Sequence, residues 1–280
     1  MPFPFTIEQS GRLRDLGAGP GELGLEFGEA GERDRAFLDL QRRLSAQARG
    51  RLEEAFRTGG RPQVEILSGK LAGLLCSLGL VQVSTPIIMS RARLARMGLE
   101  DDPLMARQVF WLDERRCLRP MLAPHLYEFM LDLDRIRSGR PFGLFEVGPC
   151  FRKETQGARH SGEFTMLNLV EVGLPLDRRQ SRLEELAAVL MDSVGLAGWS
   201  LETVDSSVYG QTVDLVDRSG LELASCSMGP HPLDKAWGFS GTWVGLGLGL
   251  ERLAMSLAGH DRLGPVARGL GRLLGVPLNV

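Results

Sequence analysis

The second half of this 280-residue chain holds a series of short strand-like runs, several with no helix between them. That limits the fold more than any other feature. The runs are 109–112, 143–147, 165–172, 213–215, 221–224 and 243–246, rich in Val, Leu, Phe and Trp and bounded by Gly, Pro and polar residues. Only 122–137 and 178–195 among them read as helices. Regular strand–helix–strand alternation therefore fails. The pattern predicts an α/β chain of the α+β kind, with a mixed, mainly antiparallel sheet flanked by helices.

The first third is helical. Residues 8–16 predict a short helix that stops at Gly17-Ala-Gly-Pro-Gly. Residues 32–57 predict a longer one, with Ala36, Phe37, Leu40, Leu44 and Leu52 in a broken apolar stripe. A third helix is expected over 62–78, where Val64, Leu67, Leu71, Leu74, Leu75 and Leu78 share a face. Pro62 suits its start and Gly79 its C-terminal cap. Leu80 to Ile88 then reads as a strand, and Pro86, which cannot donate to a ladder, places it at an edge or a break in pairing. The simplest division is an N-terminal helical extension, 1–61, and one domain, 62–280.

Composition excludes several classes. With 43% apolar and 24% charged residues the chain can bury a large core, and no apolar run reaches 18 residues. The N-terminus Met1-Pro-Phe-Pro-Phe lacks the basic and apolar regions of a signal peptide. Cys76, Cys117, Cys150 and Cys226 show neither a C-x-x-C pair nor zinc spacing, so reduced thiols and a cytoplasmic location are expected. A net charge of −2 argues against coating nucleic acid by bulk charge but allows a local basic face. Lys70, Lys153 and Lys235 are the only lysines among 33 basic residues, a bias read as genome composition ahead of phosphate recognition. Arg33, Arg35, Arg42, Arg43, Arg49, Arg51, Arg57 and Arg61 crowd the stretch from 33 to 61. A solvated face and a face for RNA phosphates fit them equally at this point.

Three segments carry chemistry. The helix–glycine–strand–proline stretch from Gly79 to Pro86 is weak by itself. In Phe145-Glu-Val-Gly-Pro-Cys-Phe-Arg152-Lys-Glu154, a strand is expected to end in Arg152 and Glu154, which would project together because residues two apart share a side. A loop through His160 then leads to a strand from Phe164. A surface ion pair and a nucleotide site both fit. In the second case the arginine neutralises phosphate, the glutamate accepts from an adenine amino group, and Phe164 gives a stacking plane. In Gly245-Leu-Gly-Leu-Gly-Leu-Glu251-Arg252, glycine at alternate positions clears one face of a strand, and a cation sits where the following helix begins. Tight helix-on-strand packing is the plain alternative.

In this order the segments resemble motifs 1, 2 and 3 of class II aminoacyl-tRNA synthetases, over roughly residues 60–280. Leu118-Arg-Pro-Met-Leu-Ala-Pro, Glu163-Phe-Thr-Met-Leu-Asn, Val208-Tyr-Gly-Gln-Thr and Leu221-Glu-Leu-Ala-Ser narrow the resemblance to pyrrolysyl-tRNA synthetases. Arg12-Leu-Arg-Asp-Leu and Arg33-Asp-Arg-Ala-Phe are similar to that family's tRNA-binding helices. The chain looks like the arrangement in which a further N-terminal tRNA-binding domain is a separate protein, or is missing. His125 stands where the family pattern has asparagine, and 267–275 lacks the aromatic residues common near the family's C-terminus.

The resemblance implies the class II catalytic fold, ATP and Mg²⁺, a homodimer built through motif 1, and ligation of pyrrolysine to an amber-decoding tRNA. It implies that Arg152 contacts the α-phosphate, Glu154 reads adenine, Phe164 stacks on it and Arg252 holds the terminal phosphate. His160, Gly247 and Gly249 complete the ATP site, and Glu222 and Ser225 bind magnesium. The amino-acid pocket would be Leu122, Ala123, Leu126, Tyr127, Met130, Met166, Val170, Trp243 and Gly245. Asn168 would hydrogen-bond the substrate's side-chain amide, and Tyr209 would close over the ring. The rivals are a class II synthetase for another large amino acid and a non-catalytic paralogue that only binds RNA. With RNA implied, the arginine-rich helix leans toward tRNA.

Overall fold

The computed structural model describes residues 2–98, 103–153, 160–206 and 210–280. Its chain packs as two units, one of Met1–Pro62 with Gly269–Val280 and one of Gln63–Arg268. The last twelve residues thus fold with the N-terminal extension, whereas the sequence reading put them with 62–280.

In the first unit, α1 (Ile7–Leu16) starts on Thr6, whose side chain accepts from the Gln9 backbone, and stops at Gly17 with φ +97°. The long helix α2 (Ala30–Thr58) buries Leu44 and Ala48 and ends at Gly59. Phe5, Leu13, Leu16 and Leu44 make the small core. Five of the eight crowded arginines sit in exposed or half-exposed ion pairs: Arg33–Asp34, Arg35–Glu29, Arg42–Asp39, Arg43–Glu22 and Arg57–Glu54.

The second unit is built on a seven-stranded sheet. Its strands are β1 (Val81–Gln82), β2 (Phe142–Phe151), β3 (Glu163–Val172), β4 (Ser200–Ser206), β5 (Gly210–Val216), β6 (Glu222–Gly229) and β7 (Trp243–Gly249). They lie in the order β1-β2-β3-β7-β6-β5-β4. Only β1–β2 is parallel; the other pairs are antiparallel. One face packs on α3 (Gln63–Ser77), α5 (Arg179–Val194) and α7 (Leu250–Leu257). Leu67, Leu71 and Leu75 of α3 and Leu183, Leu186 and Leu190 of α5 meet Phe145, Leu167, Leu169, Val244 and Leu246 there. The opposite face carries α4 (Ala123–Arg137), whose Leu126, Tyr127 and Met130 pack on Val170, Val172 and Trp243. Period-two alternation on β3 and β7 sends odd and even residues to different layers.

Three sequence expectations need correction. The run Leu80–Ile88 is not one strand. Val81–Gln82 joins the sheet at its edge, while Ile88–Ser90 pairs with Arg116–Leu118 in a separate ribbon. Pro86, lacking an N–H, falls in the gap, and the Thr85 backbone N–H turns to the Glu146 carboxylate at 3.1 Å instead. The run 109–112 gives only a single bridge, Trp111 to Cys117. Strand β2 ends at Phe151, before Arg152, and Glu154 lies outside the described residues. One strand of the seven-stranded sheet was missed. Ser200–Ser206 is an edge strand of mostly polar residues, so it lacks the apolar signal of the others.

Candidate active site

The open face of the sheet, α4 and the loop before β3 enclose a cavity of about 470 Å³. Its floor follows from strand register. Asn168, Gly247, Ser225 and Asp214 are successive cross-strand partners on β3, β7, β6 and β5, so they share one face in one row. Beside it runs Val170, Gly245 and Ser227. The glycines clear this floor: a Cβ at Gly247 would meet the Met166 Cε at 3.2 Å, and one at Gly245 the Trp243 ring at 3.1 Å.

At one end Arg152 follows directly on β2. Its Nε donates to the Pro120 carbonyl at 2.9 Å, and its guanidinium lies 5.2 Å from the Phe164 ring centroid. Its backbone N–H bonds the Gly162 carbonyl at 3.0 Å, tying the two sides of the loop together. Arg252, in the first turn of α7, pairs with Glu222 at 3.1 Å. Both groups are partly exposed, so this pair adds little stability and is free to exchange partners. Glu251, the residue before, is buried. Its carboxylate takes the Thr165 backbone N–H at 2.9 and 2.8 Å, and burial raises its pKa above the ordinary glutamate value against the pull of those bonds. Glu251 therefore anchors α7 to β3; both members of the Glu-Arg pair line the cavity, and Arg252 is the more exposed of the two.

On β5, burial raises the Asp214 pKa, while a hydrogen bond from Ser225 lowers it. Among the described residues, Asp214 Oδ1 and Thr212 Oγ1, buried at the cavity wall, meet no hydrogen-bond partner. These two residues were missed in sequence. Their signal was alternation, since polar Thr212 and Asp214 interleave with Val213 and Leu215. Glu222, Ser225 and Asp214 form an oxygen-only donor set, which fits a hard divalent cation and not zinc. Among the described residues no group of three or more His, Cys, Asp or Glu side chains could hold a metal by itself. A cation there would need phosphate or water oxygens as further ligands.

At the other end the wall is apolar: Ala123, Leu126, Tyr127, Met130, Met166, Val170 and Trp243. Among the described residues the Asn168 amide makes no hydrogen bond, and it faces this space from the floor. A half-buried amide without a partner is a ready reader of a ligand amide or carbonyl.

Of the residues named from sequence, Arg152, His160, Phe164, Glu222, Ser225, Gly247, Gly249 and Arg252 line the cavity with the seven apolar residues above, Asn168 and Gly245. Leu122 does not. It is fully buried at the start of α4, because its place one residue ahead of the helix turns it into the core. Tyr209 and Glu154 lie outside the described residues.

The comparisons with known proteins agree with this geometry. Residues 58–264 match the family model described as tRNA synthetases class II core domain (F). Two solved structures of pyrrolysyl-tRNA synthetase from Desulfitobacterium hafniense superpose on the chain. One has a TM-score of 0.92 at 46% identity and covers 99% of both chains. The other has a TM-score of 0.90 at 44% identity and covers 99% of this chain and 96% of its own. A histidine–tRNA ligase from Koribacter versatilis is 26% identical over 135 residues, or 43% of this chain, and the match spans only 31% of that protein.

Proposed function

The chain belongs to the class II tRNA synthetases, and within them to the pyrrolysyl-tRNA synthetases; from that premise we propose that it activates pyrrolysine with ATP and transfers it to an amber-decoding tRNA. The observation that carries the reading is one cavity with two chemistries: arginines and oxygen donors at one end, an apolar pocket with a lone unpartnered amide at the other.

In the first step the amino-acid carboxylate attacks the α-phosphorus of ATP, and the bond to the leaving pyrophosphate breaks. No protein nucleophile is needed; the site works by placement and charge. Arg152, held by Pro120 and Phe164, neutralises the α-phosphate as its charge builds. Arg252 takes the terminal phosphate, releasing Glu222. Phe164 stacks on adenine, Glu154 reads its amino group, and His160, Gly247 and Gly249 shape the nucleotide floor. Glu222 and Ser225, with Asp214 behind them, would hold Mg²⁺, which would supply charge neutralisation at the phosphates. In the second step the 3′-terminal ribose hydroxyl of tRNA attacks the adenylate carbonyl, and AMP leaves.

Ala123, Leu126, Tyr127, Met130, Met166, Val170, Trp243 and Gly245 hold the long side chain by shape, Asn168 takes its amide carbonyl, and Tyr209 closes over the ring. Exposed apolar residues around β1, namely Leu78, Val81, Ile87 and Ile88, support a homodimer formed through this edge. In the N-terminal unit, Arg12, Arg14, Arg49, Arg51 and Arg61 have no ion-pair partner among the described residues and are cations available for tRNA phosphates. The cytoplasm is the compartment where tRNA and ATP meet.

ATP–pyrophosphate exchange tests the reading. Exchange with pyrrolysine or a bulky lysine carbamate, lost in Arg152→Ala and Glu222→Gln, is expected. Exchange with phenylalanine alone would move the assignment to another class II specificity. No ATP binding by calorimetry, with tRNA still bound, would point to the non-catalytic paralogue.

A further inference from the structure

Asp234, an acidic side chain buried to 3% exposure, sits in an aromatic cluster, and the mechanism above does not use it. It opens α6 (Asp234–Trp237), and no ion pair reaches it among the described residues. Its carboxylate is met by neutral donors alone. Oδ1 accepts from the Tyr127 hydroxyl at 2.8 Å and from the Trp243 indole N–H at 3.1 Å. Oδ2 accepts from the same indole at 3.1 Å and from the His231 backbone N–H at 2.7 Å. A buried carboxylate is costly unless its lone pairs are used, and these are.

The two side chains it holds are walls of the substrate cavity. Tyr127 is fixed on a second side by Trp237, stacked at 5.1 Å with a 7° interplanar angle, and meets Trp243 edge-on at 5.8 Å. Gly229, opposite Trp243 in the sheet, leaves room for the indole to reach Asp234; a Cβ there would overlap the ring.

We infer that Asp234 is a specificity-determining positioning residue: it ties the polar ends of Tyr127 and Trp243 away from the cavity, so that this end offers the substrate only ring faces and edges. Tyrosine and tryptophan are otherwise ambiguous walls, since each brings a donor that would favour a polar substrate terminus. With both donors committed to Asp234, the end of the pocket accepts a bulky apolar ring by shape. Polar recognition is left to the Asn168 amide along the side chain. A polar group at the substrate's end would be desolvated there with nothing to pair with. This deepens the pocket assignment made above and rests on it.

Asp234→Asn keeps size and shape but replaces two acceptor oxygens with one acceptor and one donor group, so three donors compete for one oxygen. The measurement is exchange kinetics with two lysine carbamates, one ending in a bulky apolar ring and one short and linear. In Asp234→Asn the KM for the ring-bearing carbamate should rise about tenfold, the scale expected when a buried donor loses its acceptor. KM for the linear carbamate and for ATP should stay within about twofold of wild type, since Asn168 and the nucleotide end are untouched. Equal loss in kcat for both carbamates with unchanged KM values would mark Asp234 as merely structural and overturn the inference.

A measurement on the wild type does not depend on the variant folding. The Trp243 indole N–H, assigned by Trp243→Phe in ¹⁵N-tryptophan protein, should exchange slowly with solvent, and rapid exchange would overturn the inference. If the wild type activates neither carbamate, the pocket assignment falls and takes this inference with it. If it activates both and Asp234→Asn leaves their ratio unchanged, only the inference falls.

Discussion

Replacing Glu146 with alanine should destabilise the catalytic unit by about 3–5 kcal/mol, the range for breaking one side of a buried ion pair. Glu146 and Arg119 are each 2% exposed, and Arg119 Nη1 stands 2.7 Å from Glu146 Oε1. At an effective dielectric of 20 that separation gives a gross attraction of about 6 kcal/mol, offset by the several kcal/mol needed to desolvate each ion. The intact pair is therefore close to neutral, but the single deletion is not. Glu146→Ala strands the guanidinium and removes the acceptor of the Thr85 backbone N–H at 3.1 Å and of its hydroxyl at 2.7 Å. Arg119 is also boxed in: its Nε donates to Pro149 O at 2.8 Å, and Gly148 lacks a Cβ where one would overlap the guanidinium.

Urea unfolding at 25 °C measures the loss. Arg119→Met should cost a comparable amount. The double variant Arg119→Met, Glu146→Leu should lose less than either single variant, because two apolar side chains then replace two ions, while the Thr85 N–H still lacks its acceptor. Activity should fall in the single variants too. The Arg119 carbonyl accepts the Phe151 N–H at 3.0 Å, and the next carbonyl, that of Pro120, holds Arg152. A loss under about 1 kcal/mol for Glu146→Ala would show that the pair is solvated and that the reasoning from burial fails.

The remaining predictions follow from the same structure. His125 bonds Thr85 through Nδ1 at 3.1 Å, and its pKa is lowered by burial first and then by Arg93 and Arg119, against Glu146 and Glu128. The unfolded chain therefore binds the proton more tightly, so stability should drop as pH falls below the ordinary histidine value of about 6.5 and level off once the folded-state pKa is passed. His125→Asn should flatten that segment of the pH–stability curve, and an unchanged curve would remove His125 as its source. Burial pushes the Cys150 and Cys226 thiols up to about 12, Cys117 is buried, and Cys76 is exposed. A thiol reagent at pH 8 should thus modify Cys76 alone in the folded protein and all four cysteines in denaturant. Gly247→Ala should fold, because the added methyl makes its one tight contact with the flexible Met166 end, yet lower kcat/KM for the amino acid about tenfold by filling the floor. Wild-type kinetics in that variant would show the ligand does not lie on Gly247.

The sequence by itself determined the class of fold, and most of the residues it proposed for a site are ones that line one cavity. Strands without helices between them required an antiparallel sheet, and glycine at 245, 247 and 249 required one bare face, because both follow from local period and side-chain size. The helix boundaries at 17 and 79 were legible because glycine alone takes positive φ freely there. What only tertiary structure decided are the long-range pairings. Pro86 marked a break, but not that Thr85 would turn to Glu146, 61 residues away. Asp214 looked like a polar residue on an ordinary strand until cross-strand register put it beside Ser225. Asp234 carried no motif, since its meaning comes from Tyr127, 107 positions earlier, and from Trp243 across the cavity wall. Leu122 failed for the same reason. Adjacent to true lining residues in sequence, it points into the core, because helical geometry and not proximity along the chain decides which side a residue faces.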